Sequence, residues 1–457
     1  MSRYSNLLRN ATGYAAAFDA ADMTSTYMKA AIAEWFDLYY SDVKTKEEDP
    51  SQRIPYTVVR KLTKTVFSEH KTSSDSEFVK GLLKEVAEVS EQAMQLALIG
   101  GEALLKPIPA MDNKGFVFAV VPRNNVLIFA RDARGEPTDV GTLEVTTMGN
   151  CYYTLLERRT VDGNGYLTIQ YKLFQSYAKD TLGQQAPLST LAQYEQLQPE
   201  FTFTKPVGSI GMVRVKTPMV NCVDGSPDGV SVYAAAAGLI HNINRNEAQL
   251  SGEFDRGESR VFVSADLLSQ DEKGERELKD NLFVGFDEDP ENTGVTIFSP
   301  TLREASFLAR KQEYLRNVEN VIGLKRGLLS EVEAAERTAT EITSTAGEYN
   351  LTIIDFQNMW KRAVLETVQL CGLLGQMYKI AGAHEVADDA VVFDWGNGVL
   401  YDEAKTYAEM KEMVSLGLLQ PERLVGWYLN LPCDTPEERE EIREKYMPLI
   451  AGDGVGE

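Results

Sequence analysis

The chain has 457 residues, 43% of them hydrophobic and 25% charged, enough material for roughly two to four domains around a large core. Its 68 acidic and 46 basic residues give a formal charge of −22, which argues against a protein that grips nucleic acid electrostatically, because phosphates need Lys and Arg to displace their counterions. That balance still suits a protein that lets nucleic acid slide past without sticking.

Residues 1–100 read as helical. Tyr27 to Tyr40 is amphipathic, and Tyr56 to Glu69 repeats Val58, Val59, Leu62 and Val66 at helical spacing after a polar connector around 41–55. Ser76 to Leu98 forms a third helix, stopped at Gly100-Gly101 because glycine readily takes left-handed backbone angles. The period then changes. Ala103 to Ile108, Phe116 to Val121, Val126 to Phe129, Tyr152 to Glu157 and Tyr166 to Phe174 are short β-rich runs, divided by turn signals at 132–135 and 162–165. A meandering antiparallel sheet follows from that pattern. Residues 178–228 read as loop with brief strands, ending in the breaker Asp224 to Gly229.

Gly229 to Asp255 reads as a helix of roughly 40 Å, with Ser226 or Asp228 to cap it and Gly257 just past its end. Residues 259–300 return to strands (Arg260 to Val263, Leu282 to Phe286, Val295 to Phe298) around a polar helical piece near Leu267 to Lys279. Helix resumes over Leu302 to Ile322, with a stripe through Leu308, Leu315, Val318 and Ile322. A small β-containing module is thus inserted between two long helices, and sits at their far tip if they pair antiparallel.

A charged, glycine-punctuated segment follows. Lys325, Arg326 and Arg337 are mixed with Glu331, Glu333 and Glu336, and Gly323 and Gly327 mark its upstream hinge. The bland reading is a solvated, salt-bridged helix end. The sharper one is a mobile loop facing a polyanion, whose acidic residues prevent tight capture. Thr338-Ala-Thr340-Glu341 reads as a helix start, with Thr338 as cap and Glu341 at the third position of a capping box. The helix it opens carries Tyr349, Ile353, Phe356, Trp360, Val364, Cys371, Leu374 and Tyr378 on one side, and Thr343 to Tyr378 alone spans roughly 50 Å. A strand pair (Ala390 to Trp395, Val399 to Tyr401) joined at Gly396-Asn-Gly, short acidic helices to Leu449 and a disordered tail from Ala451 complete the chain. The fold class is α+β.

Signals for chemistry are sparse. No Gly-Lys dipeptide occurs, so a Walker A loop is absent. His70, His241 and His384 lie far apart, none within an HExxH pattern, and each reads as a surface or core histidine rather than a ligand. Cys151, Cys222, Cys371 and Cys433 are scattered and fit unpaired thiols in a reducing compartment. Asp287, Glu288, Asp289 and Glu291 could hold a hard cation, but Phe298 stands where an EF-hand needs a bidentate Glu. A solvated turn is the plain reading of that cluster, and a partner-facing acidic loop the interesting one. No catalytic residue, metal or cofactor is expected. The first residues lack the apolar core of a signal peptide, and no apolar run approaches the ~20 residues that span a bilayer, so a soluble protein made in the cytoplasm is expected.

The order of these pieces resembles the portal protein of tailed bacteriophages, in the branch typical of long-tailed phages. Arg337-Thr-Ala-Thr-Glu-Ile342 is similar to the Lys-Thr-Ala-Thr-Glu-Val/Ile signature that opens the family's long tunnel helix. Ala97 to Pro107 resembles its helix-to-strand junction, and Tyr153 to Glu157 with Tyr166 to Tyr171 its wing strands. Asp228 to Phe254 resembles the first stem helix, and Val392 to Trp395 through Asp402-Glu403 the strand turn before the crown. The resemblance covers most of residues 50–430.

What it implies is a portal-like fold. Residues 1–228 would be the N-terminal part of a helix/strand wing, 229–255 and 301–322 the stem helices, and 256–300 a clip. Residues 323–342 would be the tunnel loop, 343–400 the tunnel helix and wing return, and 401–457 the crown and tail. The crown departs from the family pattern, since it holds only a few short helices. The resemblance further implies a homo-oligomeric ring, usually a dodecamer, at the capsid vertex of the virion, assembled in the host cytoplasm with no membrane involved. Double-stranded DNA would pass through its channel without sequence readout during packaging, retention and ejection. Its protein partners would be the terminase large subunit, the major capsid and scaffolding proteins, and the head-completion or tail adaptor. Lys325, Arg326, Glu331, Glu333, Glu336 and Arg337 would face DNA, and Asp287 to Glu291 would face a partner at the clip. The rival readings are another head–tail connector or adaptor and, from a different class, a metal-dependent carboxylate enzyme built on residues 287–291.

Overall fold

The computed structural model describes residues 11–40, 50–110, 115–178, 181–257, 260–263, 268–270, 276–278, 295–298, 301–331, 339–396, 403–429, 431–433 and 435–447. Short α1 (Ala11–Ala17) precedes α2 (Thr26–Tyr40) and α3 (Ile54–Phe67), then strand β1 (Lys71–Ser73) and α4 (Glu77–Gly100). The periodic Val58, Val59, Leu62 and Val66 of α3 are all buried. Ser76 caps α4 by accepting from the Val79 N–H, and Gly101 ends it in the left-handed region. Gly101 also lies against Gly229 so closely that a Cβ on either would come within 2.3 Å of the other's backbone.

Nine strands follow: β2 (Glu102–Pro109), β3 (Phe116–Pro122), β4 (Val126–Arg131), β5 (Pro137–Met148), β6 (Cys151–Val161), β7 (Leu167–Ser176), β8 (Gln184–Ala186), β9 (Glu200–Thr202) and β10 (Val213–Lys216). The expected antiparallel meander is there, in the order β4-β5-β6-β7-β8, with β9 also on β7. Its longest strand, β5, is missing from the sequence reading. A second sheet, β10-β2-β3, connects the meander to the helices.

Then come α5 (Ala237–Arg256), β11 (Arg260–Val263), β12 (Leu268–Gln270), β13 (Arg276–Leu278), β14 (Val295–Phe298) and α6 (Glu304–Ile322). The expected helix start at Gly229 is corrected. Val230, Val232 and Tyr233 are buried in non-helical chain, with the Val232 N–H donating to Leu98 O and the Tyr233 hydroxyl to Trp35 O. Asp228 caps nothing, because it is committed to Arg123 and Arg131. The helix expected near 267–279 is also corrected: β12 and β13 pair antiparallel, Leu268 opposite Leu278. Residues 282–286, expected as a strand, lie outside the described residues.

Helices α5 and α6 pair antiparallel. Glu253 meets Arg303 at 2.7 Å, and Glu247 meets Lys311 at 2.8 Å. The Asn246 side chain donates to Phe307 O at 3.0 Å. Strands β11 and β14, which lie between the two helices in the chain, pair with each other, Arg260 opposite Phe298. Of the α6 stripe, Leu315, Val318 and Ile322 are buried but Leu308 is exposed.

The 40-residue α7 (Ala339–Tyr378) follows, a rod of roughly 60 Å. Ile353, Phe356, Trp360, Val364, Cys371 and Leu374 line its buried face as expected, while Tyr378 is 36% exposed. Strand β15 (Val392–Asp394) pairs with β1, Thr72 opposite Phe393, and the expected partner run 399–401 lies outside the described residues. Three helices close the described chain: α8 (Glu403–Ser415), α9 (Pro421–Leu429) and α10 (Pro436–Tyr446). The expected tail from Ala451 lies outside the described residues. One hydrophobic core joins α2, α3 and α4 to β2, the ends of α5 and α6, and α7.

Candidate functional site

The segment after α6 is held by its main chain. Gly323 ends the helix at φ 77°, where a Cβ would meet the Thr352 hydroxyl at 2.8 Å, and Gly327 turns the chain again at φ 91°. Both glycines are therefore required turn points. Leu324 is buried, and its N–H donates to Glu319 O. Lys61, on α3, donates to Leu328 O, and the Glu331 N–H donates to the Gln312 side chain at 2.8 Å.

The central tie is Glu319, 1% exposed in the last turns of α6. Its carboxylate accepts from the Gly327 N–H (3.1 and 3.2 Å), the Leu329 N–H, the Ser330 N–H (2.9 Å) and the Ser330 hydroxyl (2.7 Å). Charge-assisted bonds of this kind satisfy a buried carboxylate in place of water. Sequence reasoning missed Glu319. The available signal was its position, four residues after Leu315 and three before Ile322, inside the apolar stripe.

Lys325, Arg326 and Glu331 are all exposed, and among the described residues Lys325 and Arg326 form no ion pair. The first half of the charged segment is thus a braced turn carrying two outward cations. Glu333, Glu336, Arg337 and Thr338 lie outside the described residues, and the capping box expected there with them. Thr340 and Glu341 fall in the first turn of α7. Asp287, Glu288, Asp289 and Glu291 lie outside the described residues.

Elsewhere, two buried ion networks stand out. Arg123, fully buried, reaches Glu102 (2.8 Å), Asp228 (3.1 Å), Thr24 (3.0 Å) and Val126 O (2.7 Å). Arg214 bridges Glu102 to Glu136, and Arg131 adds to Asp228 at 2.6 Å. Burial alone would raise the Glu102 carboxyl, but the Arg214 and Arg123 guanidiniums outweigh it and bring its pKa down to about 2. Glu157 is likewise brought to about 2, by Arg159 and Lys106 against the opposing effect of burial. These networks tie strands to one another and to the helical layer.

The histidines are not brought together. His70 stacks on Trp395 at 4.0 Å, and burial lowers its pKa. His241 lies 2.8 Å from Glu34. His384 Nε2 is 3.4 Å from the Ser76 hydroxyl, but that hydroxyl is already the α4 cap. Burial pushes the Cys371 thiol up, as for an inert core cysteine. Among the described residues no group of three or more His, Cys, Asp or Glu could hold a metal ion, and no helix is long and apolar enough to cross a membrane.

No known protein-family model matches the chain, and no curated protein matches it. Among solved structures it is similar to a chain of the neck of a native gene transfer agent (GTA) particle computed with C12 symmetry, at TM-score 0.48 and 11% identity, covering 92% of this chain and 99% of that one. A chain of the virion of the native particle gives TM-score 0.47 and 11% identity over 92% and 99%. The neck of the empty particle, computed with C6 symmetry, gives 0.45 and 13% over 82% and 90%. Likeness this distant carries neither a fold assignment nor a function.

Proposed function

We propose that this chain is a portal subunit of a phage-like particle. Its copies form a non-enzymatic ring, of twelve subunits in the usual case, at the capsid vertex of the virion. Double-stranded DNA passes through the ring during packaging and ejection and is retained between them. The terminase large subunit supplies the energy, and the major capsid and scaffolding proteins assemble around the ring. A head-completion or tail adaptor later replaces the motor.

The observation that carries the proposal is one continuous arrangement. An antiparallel helix pair, with a β insertion between its helices in the chain, runs directly into a braced turn with two outward cations and then a 40-residue helix. A channel needs that division of labour: struts, a contact point for a docking partner, and a short loop held at a fixed place. In the proposed assignment α5 and α6 are the stem, β11 to β14 the clip, and the segment from Gly323 the tunnel loop.

Charge supplies the mechanism. Duplex DNA carries about one negative charge per 1.7 Å of axis. A strongly basic channel would bind it tightly and stall its movement. A protein of net charge −22 with Lys325 and Arg326 exposed at one ring allows sliding with local, transient contacts.

Negative-stain imaging of the purified chain tests the proposal. Rings with a central hole support it; a monomer, or a ring that forms only with a tail protein present, contradicts it and favours an adaptor.

A further inference from the structure

We propose that Glu319 is a clasp, an internal anion that fills a nest of donors in the following loop and thereby sets where Lys325 and Arg326 stand. The assignment does not depend on what the loop faces. A carboxylate buried without a cation is costly unless its lone pairs are satisfied. Among the described residues Glu319 forms no ion pair, and its two oxygens receive three main-chain N–H groups and one hydroxyl from three residues, Gly327, Leu329 and Ser330. Converging main-chain N–H groups of this kind form anion sites. Here the anion is covalently part of the preceding helix.

Two features make this a device and not one more buried polar contact. The clasp reads the main chain and a single hydroxyl, so the exposed side chains of Lys325 and Arg326 take no part in it. Those two residues also lie between two fixed points, buried Leu324 and the clasped Gly327, where the chain turns at a φ of 91°. The charge carried by the loop and the position of the loop are therefore set by different residues.

The test is hydrogen–deuterium exchange on the purified full-length protein, read on peptides covering 324–331. Glu319→Gln keeps the side-chain shape but removes the charge, and it replaces one acceptor oxygen with an NH2 that only the Ser330 hydroxyl can accept. Exchange over 324–331 should then rise about tenfold or more, as for loss of charged hydrogen bonds, while exchange in α3 and α4 stays as in the wild type. In Glu319→Ala, sodium formate should restore protection and sodium chloride at equal concentration should not. If Glu319→Ala does not fold, Glu319→Gln decides alone. Unchanged exchange in Glu319→Gln, a rise spread evenly over the molecule, or no recovery with formate would each overturn the assignment.

Discussion

The junction beneath α4 and the turn after α6 each bury a glutamate, but among the described residues only the first is supplied with cations. Glu102 sits between Arg123 and Arg214, side chain against side chain, so every member of that network depends on the identity of the others. Glu319 is met by main-chain N–H groups and the Ser330 hydroxyl, and the exposed Lys325 and Arg326 side chains take no part. The first arrangement fixes a body. The second fixes a path for the chain while leaving the charge on that path free to vary, which suits a surface presented to a moving partner.

The largest expected effect breaks the first arrangement. Arg123→Ala leaves Glu102 and Asp228 buried with fewer partners and should cost about 3–5 kcal/mol, read as a lower urea midpoint and a loss of soluble protein. Acid should attack this network and the one around Glu157. Glu102 and Glu157 have folded pKa values of about 2 against an ordinary 4.5, so their contribution is complete above the unfolded value and is lost as pH falls through the folded one. The melting temperature should therefore decline between pH 4.5 and pH 2, and a flat profile there would contradict the assignment. Glu319→Gln should cost less, about 1–3 kcal/mol, with the loss confined to the turn. Lys325→Glu with Arg326→Glu should leave stability within about 0.5 kcal/mol and leave ring assembly intact, yet alter DNA packaging or retention in assembled particles. Loss of assembly in that double variant would make the loop structural.

Much of the architecture was legible because period alone decides it. The α3 and α7 faces, the meander strands β4, β6 and β7, and the α6 stripe all follow from apolar spacing. Strand β5 was hidden by Gly141 in its middle, which reads as a break but is a close contact: a Cβ there would meet Phe18 and Phe129 at 2.8 and 2.9 Å. Val230, Val232 and Tyr233 have spacing that a helix could use, and tertiary burial against α4 overrode it. Lys325 and Arg326 were legible as charges on a glycine-flanked turn. Their clasp was not, since which donors Glu319 meets depends on how the chain folds back eight to eleven residues later.

The central claim is that Lys325 and Arg326 stand at the narrow part of a channel through which DNA passes. Cryo-electron microscopy of the purified full-length protein tests it most directly. The account predicts a closed ring with the 323–331 turn of every subunit lining the central hole and both cations pointing into it. A ring with that turn on its outer wall, or a protein that forms no ring at all, would contradict it.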